Sequence, residues 1–122
     1  MNKLKQASHL VANGAVVLDI RTREEFCQGH ICGATNIPTP LPPLSTQQHR
    51  QLQARLQKFL RHNPVDAVVV YCKKGIRAAE AACQLLRNFG LVVMNIGGVM
   101  DEPLKSVMSG KINTTEIRRC VC

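Results

Sequence analysis

Two rhythms of apolar and polar positions organise this chain. Leu52, Leu56, Phe59 and Leu60 recur at helical spacing, while Arg50, Arg55, Lys58 and Arg61 occupy the other faces and crowd the C-terminal end, where a helix dipole favours cations. Residues 15–20 and 66–71 are instead nearly continuous apolar runs, the pattern of strands covered on both faces of a parallel sheet. Between these runs, Lys3 to Ala12 predicts a short helix closed by Asn13-Gly14, and Thr22-x-x-Glu25 and Ser45-x-x-Gln48 have capping-box spacing at two further helix starts. Gly29 stops the first of these, residues 34–37 make a brief strand, and Pro38, Pro40, Pro42 and Pro43 enforce an extended crossing. Ile76, Ala79, Cys83 and Leu86 form the stripe of another helix, which ends near Gly90 before a strand over residues 91–95. This alternation predicts an α/β fold, a doubly wound parallel sheet of about four to five strands with helices on both faces, in which residues 66–71 form the central strand. One domain is expected over residues 1–108. Residues 109–122 lack a pattern and are expected to form a flexible C-terminal tail.

Composition narrows the function. A chain of 122 residues with 20% charged positions suits one core and one site. Aromatic residues make up 3% and Trp is absent, so the core must be aliphatic and a base-stacking surface has little to work with. The net charge of +8 suits a small anionic substrate, an acidic protein or RNA phosphates and by itself does not choose among them; with so few aromatics, a nucleic-acid partner is not expected. The N-terminus has no apolar signal core, the first strand begins near Ala15, and no apolar run approaches membrane-spanning length. A cytoplasmic location without a membrane partner is therefore expected, with the six cysteines reduced.

The sharpest chemical signal is Cys72-Lys73-Lys74-Gly75-Ile76-Arg77, a cysteine at the carboxyl end of a buried strand followed by a basic loop and a helix start. Unpaired N–H groups and the positive end of the helix dipole favour a thiolate, and Lys73, Lys74 and Arg77 add positive charge. Cys72 is accordingly read as the nucleophile. Successive N–H groups from Lys73 to Arg77 are expected to form an anion nest, with Gly75 supplying the backbone freedom it requires. Lys73, Lys74, Gly75, Ile76 and Arg77 are the expected substrate-binding residues.

The flanking motifs extend this pattern. Leu18-Asp19-Ile20-Arg21, Glu25-Phe26-x-x-Gly29-His30-Ile31-x-Gly33-Ala34-x-Asn36-Ile37-Pro38, the Cys72 loop and Ile96-Gly97-Gly98 together resemble, in order, the signatures of the rhodanese family. The resemblance implies a single rhodanese domain of the thiosulfate sulfurtransferase type, whose cysteine carries a persulfide between half-reactions. It implies a small anionic sulfur donor such as thiosulfate, a cyanide or thiol acceptor, a sulfur-relay protein as a further partner, and no cofactor. The Trp often found shortly after the Gly-Gly pair in this family is absent from Val99-Met100-Asp101-Glu102-Pro103.

Other residues are read as support. Asp19 and Arg21 are expected to form an ion pair that holds the active-site rim, and Glu25 to cap a helix. His30 is expected to be a hydrogen-bonded structural histidine, and Cys83 a core residue. Cys27 and Cys32 lack partners at zinc-site spacing, so no metal is expected. Cys120 and Cys122 are read as thiols of an exposed tail, the alternative being that they reach Cys72 and resolve its persulfide. Two other functions share the loop: a persulfide carrier or regulatory module acting between proteins, and a phosphatase or arsenate reductase. The latter ranks low because the phosphatases of the same fold carry a loop one residue longer, giving a cradle wide enough for a tetrahedral phosphate.

Overall fold

The computed structural model describes residues 2–122, with Ile76 and Arg77 described in their backbone only. The elements run α1 (Lys3–Ala12), β1 (Val16–Asp19), α2 (Arg23–Gln28), β2 (His30–Ile31), β3 (Thr35–Asn36), α3 (Thr46–His62), β4 (Ala67–Cys72), a 3₁₀ turn (Ile76–Ala79), α4 (Glu80–Asn88), β5 (Val92–Gly98), α5 (Leu104–Met108) and β6 (Arg119–Cys120). Both capping boxes form: Thr22 and Ser45 accept from the backbone N–H groups of Glu25 and Gln48, whose side chains reach back to the caps.

The main sheet is parallel throughout, in the order β3-β1-β4-β5. β4 is therefore an interior strand, and Val68, Val69, Val70 and Tyr71 are fully buried in it. Each such side chain withdrawn from water contributes about 1.5–3 kcal/mol. Alternate residues of the sheet feed two cores. Leu18, Val68, Val70 and Cys72 face Leu52 and Leu56 of α3 and Cys83 and Leu86 of α4, whereas Val17, Val69, Tyr71 and Ile96 face Leu4 and Ala7 of α1 and Leu104 and Val107 of α5. This is the doubly wound arrangement that the alternation of elements predicts. No helix among the described residues is long and apolar enough to cross a membrane.

The C-terminal segment differs from the expected flexible tail. Ile117 is fully buried in the second core, and β6 pairs antiparallel with β2 through His30–Cys120 and Ile31–Arg119. Disulfides join Cys27 to Cys122 and Cys32 to Cys120. The anchors of this segment are one isoleucine and two cysteines whose partners lie near the other end of the chain, which leaves no local period to read. Cys27 and Cys32 do have cysteine partners, and Cys120 and Cys122 are turned to those partners rather than to Cys72.

Candidate active site

β1 and β4 lie side by side and end at the same rim, so Asp19, Arg21 and Cys72 converge there. Asp19 is completely buried and Arg21 is 8% exposed. The Arg21 Nε lies 3.1 Å from both Asp19 carboxylate oxygens, its terminal nitrogen donates to Oδ2 at 2.7 Å, and its backbone N–H donates to Oδ1 at 2.9 Å. The same terminal nitrogen donates to the Gly29 carbonyl at 2.6 Å, tying the end of α2 to the rim. Burial works against the guanidinium charge, but the hydrogen bonds and charge of Asp19 outweigh it and hold the pKa of Arg21 above its ordinary value. Asn36 completes the frame by donating to the carbonyls of Asp19 and Arg21 at 3.0 and 2.9 Å.

Cys72 is 2% exposed and forms one wall of a cavity of about 450 Å³, shared with Ile20, Arg21, Glu25, Leu41, Lys73 and Lys74. Its Sγ donates to the Gly75 carbonyl at 2.9 Å and contacts that of Gly97 at 3.6 Å. The following loop is laced to the end of β5 by Val99 N–H to Cys72 O and Met100 N–H to Lys73 O, both 3.0 Å. Two glycines make this approach possible. Gly75 has φ +71°, and a Cβ on Gly98 would lie 2.6 Å from the Lys73 carbonyl oxygen.

Lys73 is exposed and its ammonium lies 3.6 Å from the Glu25 carboxylate. Burial opposes ionisation of Glu25, but hydrogen bonds from Thr22 and the charges of Lys73 and Arg21 hold its pKa below the ordinary value. Glu25 is thus both the cap of α2 and a wall of the cavity. The side chains of Ile76 and Arg77, expected to bind substrate, lie outside the described residues; their backbone opens the 3₁₀ turn. His30 has the structural setting expected of it, stacked on Phe26 at 3.8 Å with Nδ1 2.8 Å from the Phe26 carbonyl.

The electrostatics of Cys72 depart from the expected lowered pKa. Burial pushes its thiol up, the Lys74 backbone N–H opposes this, and the charges of Asp101 and Asp19 add to the rise. An α-helix proper begins only at Glu80, beyond the 3₁₀ turn. The expected nest is partly occupied as well: the Gly75 N–H donates to Asp101 Oδ2 at 3.0 Å. Asp101, which the sequence reading did not single out, therefore acts on both the loop and the sulfur. Asp101→Asn keeps an oxygen acceptor for Gly75 while removing the charge. Since the Cys72 pKa lies above that of an ordinary thiol, alkylation should accelerate only as pH rises through the alkaline range, and the substitution should shift the whole rate–pH curve to lower pH. An unmoved curve would show that this carboxylate does not influence the sulfur.

Residues 3–101 match the rhodanese-like domain family. The chain is 35% identical over 100 residues to thiosulfate sulfurtransferase 18 of Arabidopsis thaliana, covering 78% of this chain and 71% of that one. It is 34% identical over 82 residues to thiosulfate sulfurtransferase GlpE of Ectopseudomonas mendocina, covering 66% and 62%. Among solved structures, a rhodanese with anions from E. coli aligns with a TM-score of 0.52 and 28% identity, over 74% of this chain and 93% of that one.

Proposed function

The chain belongs to the rhodanese-like domain family of sulfurtransferases, and from that premise we propose that it moves sulfane sulfur from thiosulfate or a similar anionic donor to cyanide or a thiol through a persulfide on Cys72. The observation that carries this reading is the position of Cys72 at the carboxyl end of β4, in a cavity shared with Lys73, Lys74 and Arg21. Once the thiol has lost its proton, Sγ attacks the outer sulfur of thiosulfate. A sulfur–sulfur bond forms at Cys72, the donor's own sulfur–sulfur bond breaks, and its electron pair leaves with sulfite. Cyanide then attacks the terminal sulfur, and thiocyanate departs as the Cys72 thiolate returns. Because burial raises the thiol pKa, its proton has to pass to a solvent base before the attack, which places this step toward alkaline pH.

Incubation with thiosulfate should add the mass of one sulfur to the intact protein, and cyanide should remove it. No adduct with any sulfane donor, combined with phosphate or arsenate turnover, would replace this reading with the phosphatase or arsenate reductase alternative. The lysines give a graded check. Lys73→Ala and Lys74→Ala should each raise KM for thiosulfate with little change in kcat, and the effect should shrink as salt screens the charges. Equal kinetics at low salt would make them solvated surface charges.

A second reading, a persulfide carrier acting between proteins, draws on Leu41, 78% exposed beside Cys72, and Met100, 54% exposed on the far side of the loop. With Lys73, which lines a cavity with each of them, and Lys74 beside Leu41, they would suit an acidic partner with an apolar contact. A persulfidated protein donor far outperforming thiosulfate in kcat/KM would favour it. The cytoplasmic location remains part of this proposal, and the disulfides make the state of the protein there conditional: a reducing cytosol would open them, an oxidising compartment would keep them closed.

A further inference from the structure

We propose that Cys27–Cys122 and Cys32–Cys120 form a thiol-exchange site for dithiol reductants, a clasp whose opening strengthens binding of the anionic donor at Cys72. Cys120 and Cys122 lie beyond residues 3–101, the span of the family match. Both land on the unit formed by α2 and β2, with Cα–Cα distances of 4.7 Å for Cys27–Cys122 and 4.9 Å for Cys32–Cys120. Backbone bonds from Cys122 N–H to Cys27 O and from Cys32 N–H to Arg118 O bring them there, and the Arg119 guanidinium donates to the Gln28 carbonyl at 2.9 Å. Cys122 is exposed, open to an incoming thiolate.

The element gripped by the clasp has no fully buried side chain of its own to hold it. Besides the clasp, α2 is held at its C-terminal end by the Phe26–His30 stack, the Arg21 hydrogen bond to the Gly29 carbonyl and the Arg119 hydrogen bond to the Gln28 carbonyl. Yet it carries Glu25, whose carboxylate lies beside Lys73 in the mouth of the Cys72 cavity. On the clasp side of that pair, a second cavity of about 270 Å³ is lined by Arg21, Glu25, Lys73 and Arg119 of β6. With the clasp closed, a carboxylate is held where an anionic donor arrives, and it offsets the charge of Lys73. With the clasp open, α2 keeps only its hydrogen bonds and the Phe26–His30 stack, and the carboxylate gains room to move away from Lys73.

The exchange balances without any further reactant. One thiolate of the dithiol attacks the Cys122 sulfur, and Cys27 leaves as a thiolate and takes up a proton. The second thiol then closes the reductant's own disulfide and releases Cys122, so that two electrons have passed to the pair. A second dithiol opens Cys32–Cys120 in the same way.

The exchange is read by intact mass and its consequence by kinetics; only the consequence rests on the sulfurtransferase reading. Under native conditions, dithiol treatment followed by alkylation should add four labels beyond those of the untreated protein, one for each cysteine of the two pairs. After anaerobic removal of the reductant, KM for thiosulfate with cyanide as acceptor should fall several-fold, and reoxidation should restore it. Serine at all four positions should lock the low KM. Glu25→Gln should begin with a low KM and no longer respond to the dithiol, because both changes remove the same charge. The proposal is overturned by labels that appear only in denaturant, by four free thiols holding a zinc ion in the isolated protein, by an unchanged or higher KM on opening, or by a full response in Glu25→Gln. If the serine variant does not fold, the wild-type titration decides. Failure of any state to form a persulfide would overturn the sulfurtransferase reading, while the label count would still report the exchange.

Discussion

Cys72→Ser should abolish sulfur transfer, reducing turnover to a trace and eliminating the thiosulfate-dependent mass gain. A serine hydroxyl is neither ionised at working pH nor polarisable enough to attack a sulfane sulfur, and no other described cysteine shares the cavity with Lys73 and Lys74. Cys83, the other free cysteine, is buried in the apolar core, where burial pushes its thiol up to about 11. The substitution preserves the shape of the site, so thermal unfolding should stay close to that of the wild type. Retention of more than a small fraction of turnover by a folded variant would remove Cys72 from the mechanism.

The largest expected loss of stability lies at the other side of the rim. Arg21→Leu would leave the Asp19 carboxylate buried without its bidentate partner and free the Gly29 carbonyl from its 2.6 Å donor. Breaking a buried, hydrogen-bonded ion pair on one side costs about 3–5 kcal/mol. Chemical denaturation should show most of this as a lower midpoint. Asp19→Asn with Arg21→Leu should recover part of it, because the stranded charge is then gone. A single variant within about 1 kcal/mol of wild type would mean that water reaches Asp19 and that the pair adds little.

The parts of this molecule legible in its sequence are those whose physics is local. Thr22-x-x-Glu25 and Ser45-x-x-Gln48 close hydrogen bonds within one turn, and the unalternating Val68-Val69-Val70 reports a strand covered on both faces. The Asp19–Arg21 pair spans two residues and its geometry follows from the strand end. Asp101 was not legible because its bond to Gly75 crosses 26 residues. Nor was the rise in the Cys72 pKa: a motif reveals the cations near a thiol but not its depth, and here desolvation outweighs them. The tail was misread for the same reason. Its cysteines find partners 88 and 95 residues away, and a lone buried Ile117 leaves no periodicity.

Those long separations have a topological meaning. The backbone from Cys32 to Cys120 is a closed covalent ring that includes most of the fold, and closing a ring of about 100 residues removes about 4–5 kcal/mol of chain entropy from the unfolded state. A peptide bond cut in the exposed proline segment around Leu41 opens this ring without dividing the molecule. Both new ends stay in one covalent body, joined through the crosslinks, so the nicked protein faces refolding as a rearranged single chain, much as a circular permutant does, rather than as two fragments that must find each other by diffusion.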